Sequence, residues 1–181
     1  MYKREFILKN GEPLLVREGI ESDAEAAIAH LNTVGGESDF LTFGAEGLPG
    51  LTLESEREFL AARLRSEFSA LLLCFVGGEL ACICNVDVPL NPRTHHNANI
   101  GISVKKRFWG IGVGTCAMEA MLDFIKNLGC VKYVRLDVYA DNARAIRLYE
   151  RFGFRKAGTL SEKFFVNGVY HDEITMELKL V

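Results

Sequence analysis

Glycines at every second position, Gly110, Gly112 and Gly114, separate a β-type run at residues 99–104 from a long helical pattern. In that pattern Cys116, Ala117, Met118, Ala120, Met121, Phe124, Ile125 and Leu128 recur at the three-to-four residue spacing of a buried helix, and Gly129 stops it. A strand that turns through glycine into a helix leaves unpaired helix-end N–H groups pointing into the turn. Those groups carry about half a positive charge and suit a phosphate. Lys105, Lys106 and Arg107 add positive charge at the same place. Thr115 stands where the dinucleotide fingerprint requires its third glycine, and no Gly-Lys-Ser/Thr follows, which excludes both common nucleotide loops. Taken alone, the turn is also compatible with glycines that merely let a helix pack close to a strand.

The remaining pattern alternates helices and strands. Residues 14–16 read as a short strand, and Ser22 with Glu25 forms a capping box that starts a helix reaching about Val34. Five glycines and Pro49 in residues 35–51 predict a loop, and Thr52 caps a second helix at 54–65. Residues 71–76 and 80–88 flank Gly77 and Gly78 as a hairpin. A strand follows at 133–139, then a short helix at 142–152 closed by Gly153. Residues 164–166 and 169–180 flank Asn167-Gly168, a strong hairpin signal. With no repeat, linker or low-complexity tract, residues 1–181 are expected to form a single mixed α/β domain.

Composition narrows the function. Hydrophobic residues make up 49% and charged residues 25%, which excludes a disordered or fibrous chain. A net charge of -3 gives no basic surface for nucleic acid, so any anion site is local. No apolar run reaches the roughly 18 residues of a membrane helix, and residues 1–10 lack the apolar stretch of a secretion signal, so neither membrane nor export is expected. The five cysteines are an odd number lying mostly in apolar runs, as expected of reduced thiols in a cytoplasmic protein. Cys82 and Cys84 share one strand face, where core packing is the expected role in place of a metal site. No metal cofactor is expected.

The turn reads Trp109, Gly110, Ile111, Gly112, Val113, Gly114, and a second block runs Asp141, Asn142, Ala143, Arg144, Ala145, Ile146, Arg147, Leu148, Tyr149 and on to Phe154. Two such blocks about 30 residues apart resemble the GNAT superfamily of N-acetyltransferases over nearly the whole chain. Trp109 departs from the Gln or Arg usual there and matches members resembling bacterial ribosomal-protein acetyltransferases. The resemblance implies a three-layer α/β (α+β) fold. Its central mixed, mostly antiparallel sheet is splayed between the family's fourth and fifth strands, here the strands ending at Val104 and near Val138, and helices flank it.

The same resemblance implies acetyl-CoA as co-substrate. Its pantetheine would pair with main chain at Ile102 and Val104, across Ser103. Its diphosphate would rest on the amides of Gly110, Gly112, Val113, Gly114 and Thr115, beside Arg107 and Trp109. Asn142 and Ala145 would meet the pantetheine arm, and Tyr149 would lie near the thioester sulfur. Transfer of the acetyl group to a primary amine of a small molecule or a protein N-terminus is the implied reaction. Tyr149, a phenol with an ordinary pKa of roughly 10, is the candidate proton donor to the leaving thiol. Glu37 and Asp39 in the loop between the first helices, and His95 and His96 before the cofactor strand, are candidates to take the amine's proton; Glu37 and His96 are the chosen pair. Phe40, Leu41 and Phe43 would line the acceptor pocket or pack its loop. A homodimer is a further expectation.

Overall fold

A computed structural model describes residues 1–180. Its strands are β1 (Lys3–Ile7), β2 (Pro13–Glu18), β3 (Ser69–Val76), β4 (Glu79–Asp87), β5 (Asn97–Val104), β6 (Tyr133–Tyr139), β7 (Arg155–Val166) and β8 (Val169–Lys179). The helices are α1 (Ala24–Glu37), α2 (Leu53–Arg65), α3 (Val113–Leu128) and α4 (Ala143–Arg151). All eight strands form one sheet in the order β1-β2-β3-β4-β5-β6-β8-β7. Every neighbouring pair is antiparallel except β5 and β6, which run parallel.

Alternation along β3 explains the three layers. Leu71 and Leu73 face Ala24, Ala27 and Leu60 of α1 and α2, while Leu72 and Cys74 face the other way, into a larger core with Ala117, Met118 and Met121 of α3. Successive side chains of a strand point to opposite faces, so a strand covered by helices on both sides is apolar throughout. Cys82 and Cys84 lie in this core and Cys74 of β3 joins them, with its sulfur 3.9 Å and that of Cys82 3.6 Å from Cys84 Sγ, three thiols close enough together to ligate one ion. Gly77 and Gly78 both take positive φ (57° and 84°), as do Asn167 and Gly168 (51° and 82°), giving the two tight turns the sequence announces.

Four local expectations change. The fold contains an added N-terminal strand, β1, so the splay falls between the fifth and sixth strands in chain order. The strand β7 begins at Arg155, nine residues earlier than the pattern suggested. The helix α1 runs on through Gly35 and Gly36 to Glu37. Its start is not a Ser22–Glu25 box: the chain enters through a tight turn over Glu21–Asp23 in which Asp23 accepts the Ile20 N–H at 2.9 Å and is held by Arg17 at 2.7 and 2.8 Å, so the capping carboxylate stands two residues before Glu25.

Candidate active site

The parallel pair β5–β6 is short. Asn97, Ala98 and Asn99 lie opposite Tyr133, Val134 and Arg135, and beyond that the strands diverge. Lys105 N–H bonds the Ala81 carbonyl of β4, so by the alternation of an antiparallel ladder Ser103 and Gly101 also face β4. Ile100, Ile102 and Val104 then turn their main-chain groups toward the opening. Of these, the Val104 carbonyl accepts Trp109 Nε1–H at 2.8 Å. The Val104 carbonyl is thus already engaged by a side chain, and Ile102 is the position whose main chain stays fully open to an extended ligand in the gap.

At the end of β5 the chain makes a short helical turn, Lys106–Phe108, and then the glycine turn. Gly110 and Gly112 have φ of 84° and 107°, a region L side chains rarely adopt, so the glycines are required there by the backbone itself. The turn is buttressed where Lys9 N–H bonds the Ile111 carbonyl. Among the described residues, the amides of Gly110, Gly112, Val113 and Gly114 have no main-chain acceptor, whereas Thr115 N–H bonds the Gly112 carbonyl at 3.0 Å. Thr115 thus drops out of the expected diphosphate set as an amide donor. Helix α3 starts at Val113, and the four free amides stand at its positive end.

The cradle opens into one cleft of about 1440 Å³ that passes through the gap in the sheet. Ile102, Ser103, Val104, Trp109, Asn142 and Ala145 all border it, as do the glycine turn, Tyr149 and Glu37. Asn142 caps α4 by accepting the Ala145 N–H at 3.1 Å. The Ser103 hydroxyl is held at 3.0 Å by Nε2 of the fully buried His30, which couples α1 to β5. Burial and the nearby Lys105 charge push the His30 imidazole down to about 4, so it is neutral at physiological pH.

Two expected members are elsewhere. Arg107 forms an ion pair with Glu79, which also holds Lys105 at 3.0 Å, and its guanidinium lies over Phe108, so these two cations are drawn to the start of β4. Cleft-lining positive charge comes instead from Arg144, Arg147 and Arg151 of α4, spaced to share one helix face, with Arg144 stacked 4.4 Å over the Trp109 ring. His96 is exposed at the far, N-terminal end of β5, and its carbonyl accepts the Lys132 and Tyr133 amides. Eight residues of strand separate it from the cradle, roughly 26 Å at about 3.3 Å each. His95 is held by the Pro89 carbonyl and Phe68 in the same remote loop.

Tyr149 lies on the α3 side of the gap, 6% exposed, and borders the cleft. Burial, reinforced by the neighbouring Cys82 and Cys84, raises its phenol well above the usual value and keeps it protonated. Glu37 borders the cleft from the end of α1, but its Oε2 already accepts the Lys106 N–H at 2.6 Å and so fastens the turn before the cradle. On the α1 side, Tyr139 of β6 bonds the Leu41 carbonyl at 3.2 Å, meets Phe40 edge-on and stacks on Phe164 at 3.9 Å. The loop with Phe40, Leu41 and Phe43 therefore roofs this half of the cleft. Asp39 pairs with Asn167 and lines only a smaller adjoining depression.

Comparison with known proteins points the same way. A family model described as the acetyltransferase (GNAT) family matches residues 42–154. The L-amino acid N-acetyltransferase of Escherichia coli K12 is 33% identical over 105 residues, which cover 58% of this chain and 65% of that enzyme. The chain thus spans just under two thirds of that relative's length. The crystal structure of an acetyltransferase of the GNAT family from Streptococcus pneumoniae superposes with a TM-score of 0.88 and 28% identity, covering 93% of this chain and 99% of that one. A Salmonella typhimurium protein solved with its cofactor acetyl-CoA shares the fold, with a TM-score of 0.80 at 15% identity over 93% of this chain and 94% of that one.

Proposed function

The chain belongs to the acetyltransferase (GNAT) family, and from that premise we propose that residues 1–181 work as one domain that moves an acetyl group from acetyl-CoA to a primary amine. The observation that carries this reading is the set of four unpartnered amides at Gly110, Gly112, Val113 and Gly114, opening into a cleft that crosses the sheet. A diphosphate rests on those amides, with Arg144 and Arg147 nearby to balance its charge. The pantetheine arm extends along β5, pairing with Ile102 as an added strand and passing Asn142 and Ala145. The thioester then lies in the gap beside Tyr149.

An amine entering from the opposite face of the sheet attacks the thioester carbonyl directly. Tyr149 donates its proton to the sulfur as the C–S bond breaks. The acceptor is a small-molecule amine or a protein N-terminus; similarity to an amino-acid acetyltransferase favours a small molecule. The five unpaired cysteines suit the reducing cytoplasm as the place of reaction. Among the described residues no helix is long and apolar enough to cross a membrane.

Incubation with acetyl-CoA and a panel of amines, monitored for free thiol, tests the reading. Acceptor-dependent thiol release supports it. Tight acetyl-CoA binding with no release for any amine would make the chain a non-catalytic acyl-CoA-binding module.

A further inference from the structure

An amine is protonated at neutral pH, and the transfer needs a group to take its proton. Of the two candidates chosen from sequence, His96 lies at the other end of β5, and Glu37 commits its Oε2 to the Lys106 amide. The cleft contains another carboxylate. Glu173 on β8 is only 8% exposed, borders the cleft, and among the described residues has no hydrogen-bond partner for its side chain. The residue is largely covered, yet its carboxylate oxygens are not sealed from solvent, so an incoming cation can meet them without displacing a protein partner.

Its setting is constructed for access. Glu173 lies opposite Tyr139 of β6, the strand that borders the gap, so it stands one strand spacing, roughly 5 Å, from that strand. Alternation puts Glu173 and Asp137 on the α1 face, across the sheet from Tyr149, which is the face by which an acceptor would enter. On the other side β7 bulges: Leu160 and Phe164 lie opposite Glu173 and His171, so four residues of β7 span two of β8. The irregularity brings Phe164 over Tyr139 as an aromatic wall beside the carboxylate.

Resting on the transferase reading above, we propose that Glu173 is the residue that binds the acceptor's ammonium and takes its proton, with Asp137 as the second carboxylate of the same subsite. The ammonium passes one proton to Glu173, and the freed nitrogen pair forms the C–N bond at the thioester carbonyl. As the C–S bond breaks, the nitrogen loses its second proton to solvent and Tyr149 supplies the thiol proton, which solvent restores. One proton is released overall.

The charges facing Glu173 favour this role. Burial first and Asp137 of β6 second raise its carboxyl above the usual range, and Lys163 of β7 pulls it down. Tyr139 is neutral, its phenol raised by burial and by Asp39 and Glu173. His171, on the same strand, is paired with Asp141 at 2.7 Å. A second unpartnered buried carboxylate, Glu56, borders the cleft from α2. That helix packs on β3, two strands from β5 on the side away from β6, which is farther from the gap.

The test measures acceptor kinetics against pH for the full chain and for Glu173→Gln, Glu173→Asp and Glu56→Gln, using acetyl-CoA and whichever L-amino acid or aliphatic diamine gives the fastest thiol release. Expected for Glu173→Gln is a fall in kcat on the order of 100-fold or more at neutral pH, with KM for acetyl-CoA unchanged. Its acid limb should also be displaced upward, toward the amine's own ionisation, so that alkaline pH rescues the rate. Glu173→Asp should retain part of the activity, and Glu56→Gln should keep the wild-type acid limb. Wild-type turnover and pH profile in Glu173→Gln would overturn the assignment and leave the transferase reading standing, as would an acid limb lost from Glu56→Gln alone. No acceptor-dependent release by the wild type would overturn both.

Discussion

Replacing Gly112 with alanine isolates the backbone's part in holding the diphosphate. Gly112 has φ of 107°, and a Cβ built there comes no closer than 3.6 Å to Lys9 Cγ, an ordinary contact. The methyl group itself therefore costs little, and the penalty is that of forcing an L residue into a sparsely populated region, about 1–3 kcal/mol. The Ile111 and Gly112 carbonyls are bonded by Lys9, Thr115 and Cys116 amides, but the amides on either side have no protein acceptor, so those N–H groups can tilt off their ligand-facing direction to relieve the strain. Binding must then reimpose it, and the penalty emerges as weaker binding, roughly 5- to 150-fold. Titration calorimetry with CoA reads the loss, and a thermal melt checks that the fold survives. Asparagine visits positive φ more readily than alanine, and valine hardly at all. The expected affinity order is therefore Gly112, then Gly112→Asn, Gly112→Ala and Gly112→Val. If Gly112→Ala binds CoA like the wild type, or asparagine is worse than alanine as side-chain bulk would dictate, the reasoning fails.

Two further outcomes follow from buried groups. Tyr149→Phe should lower kcat by roughly 100-fold or more while leaving KM for acetyl-CoA unchanged, and because burial holds the phenol above its usual value, wild-type turnover should show no alkaline loss below about pH 10; an unaffected kcat in the thiol-release assay removes Tyr149 from the mechanism. His30 is held near 4 against an ordinary 6.5, so the unfolded chain binds the extra proton between those values and stability falls as pH drops through that window. The loss approaches on the order of 3 kcal/mol at about 1.4 kcal/mol per pH unit, and urea titrations at several pH values should show it shrink in His30→Gln; an identical pH slope in that variant contradicts the burial argument.

Sequence made some parts of this fold legible because their signals are local. The apolar repeat of α3 with Gly129, the Gly77-Gly78 and Asn167-Gly168 turns and the Thr52 cap each depend on residues within a few positions of one another. Strand β1 and the first part of β7 gave little signal because they are largely exposed edge strands, with no buried face to impose alternation. Local reading also picked out the glycine turn and Tyr149, which border one cleft, but it could not find what captures a side chain from a distance. Glu79 draws Arg107 off the cleft, Trp109 reaches back to the Val104 carbonyl, and Asp23 answers to Arg17. Nearness in sequence to β5 suggests His96, yet a strand carries the chain away from its own start. The sequence assigns Glu173 no role; only the pairing of β8 with β6 brings it to the acceptor side of the gap.

The central claim is that free main-chain hydrogens at the start of α3 hold the cofactor's diphosphate. Amide resonances of the ¹⁵N-labelled protein, followed while acetyl-CoA is added to saturation, test it most directly. Gly110, Gly112, Val113 and Gly114 should shift as hydrogen-bonded amides do, and Thr115, already bonded to the Gly112 carbonyl, should move less. Saturation by acetyl-CoA with those four resonances unmoved would contradict the account.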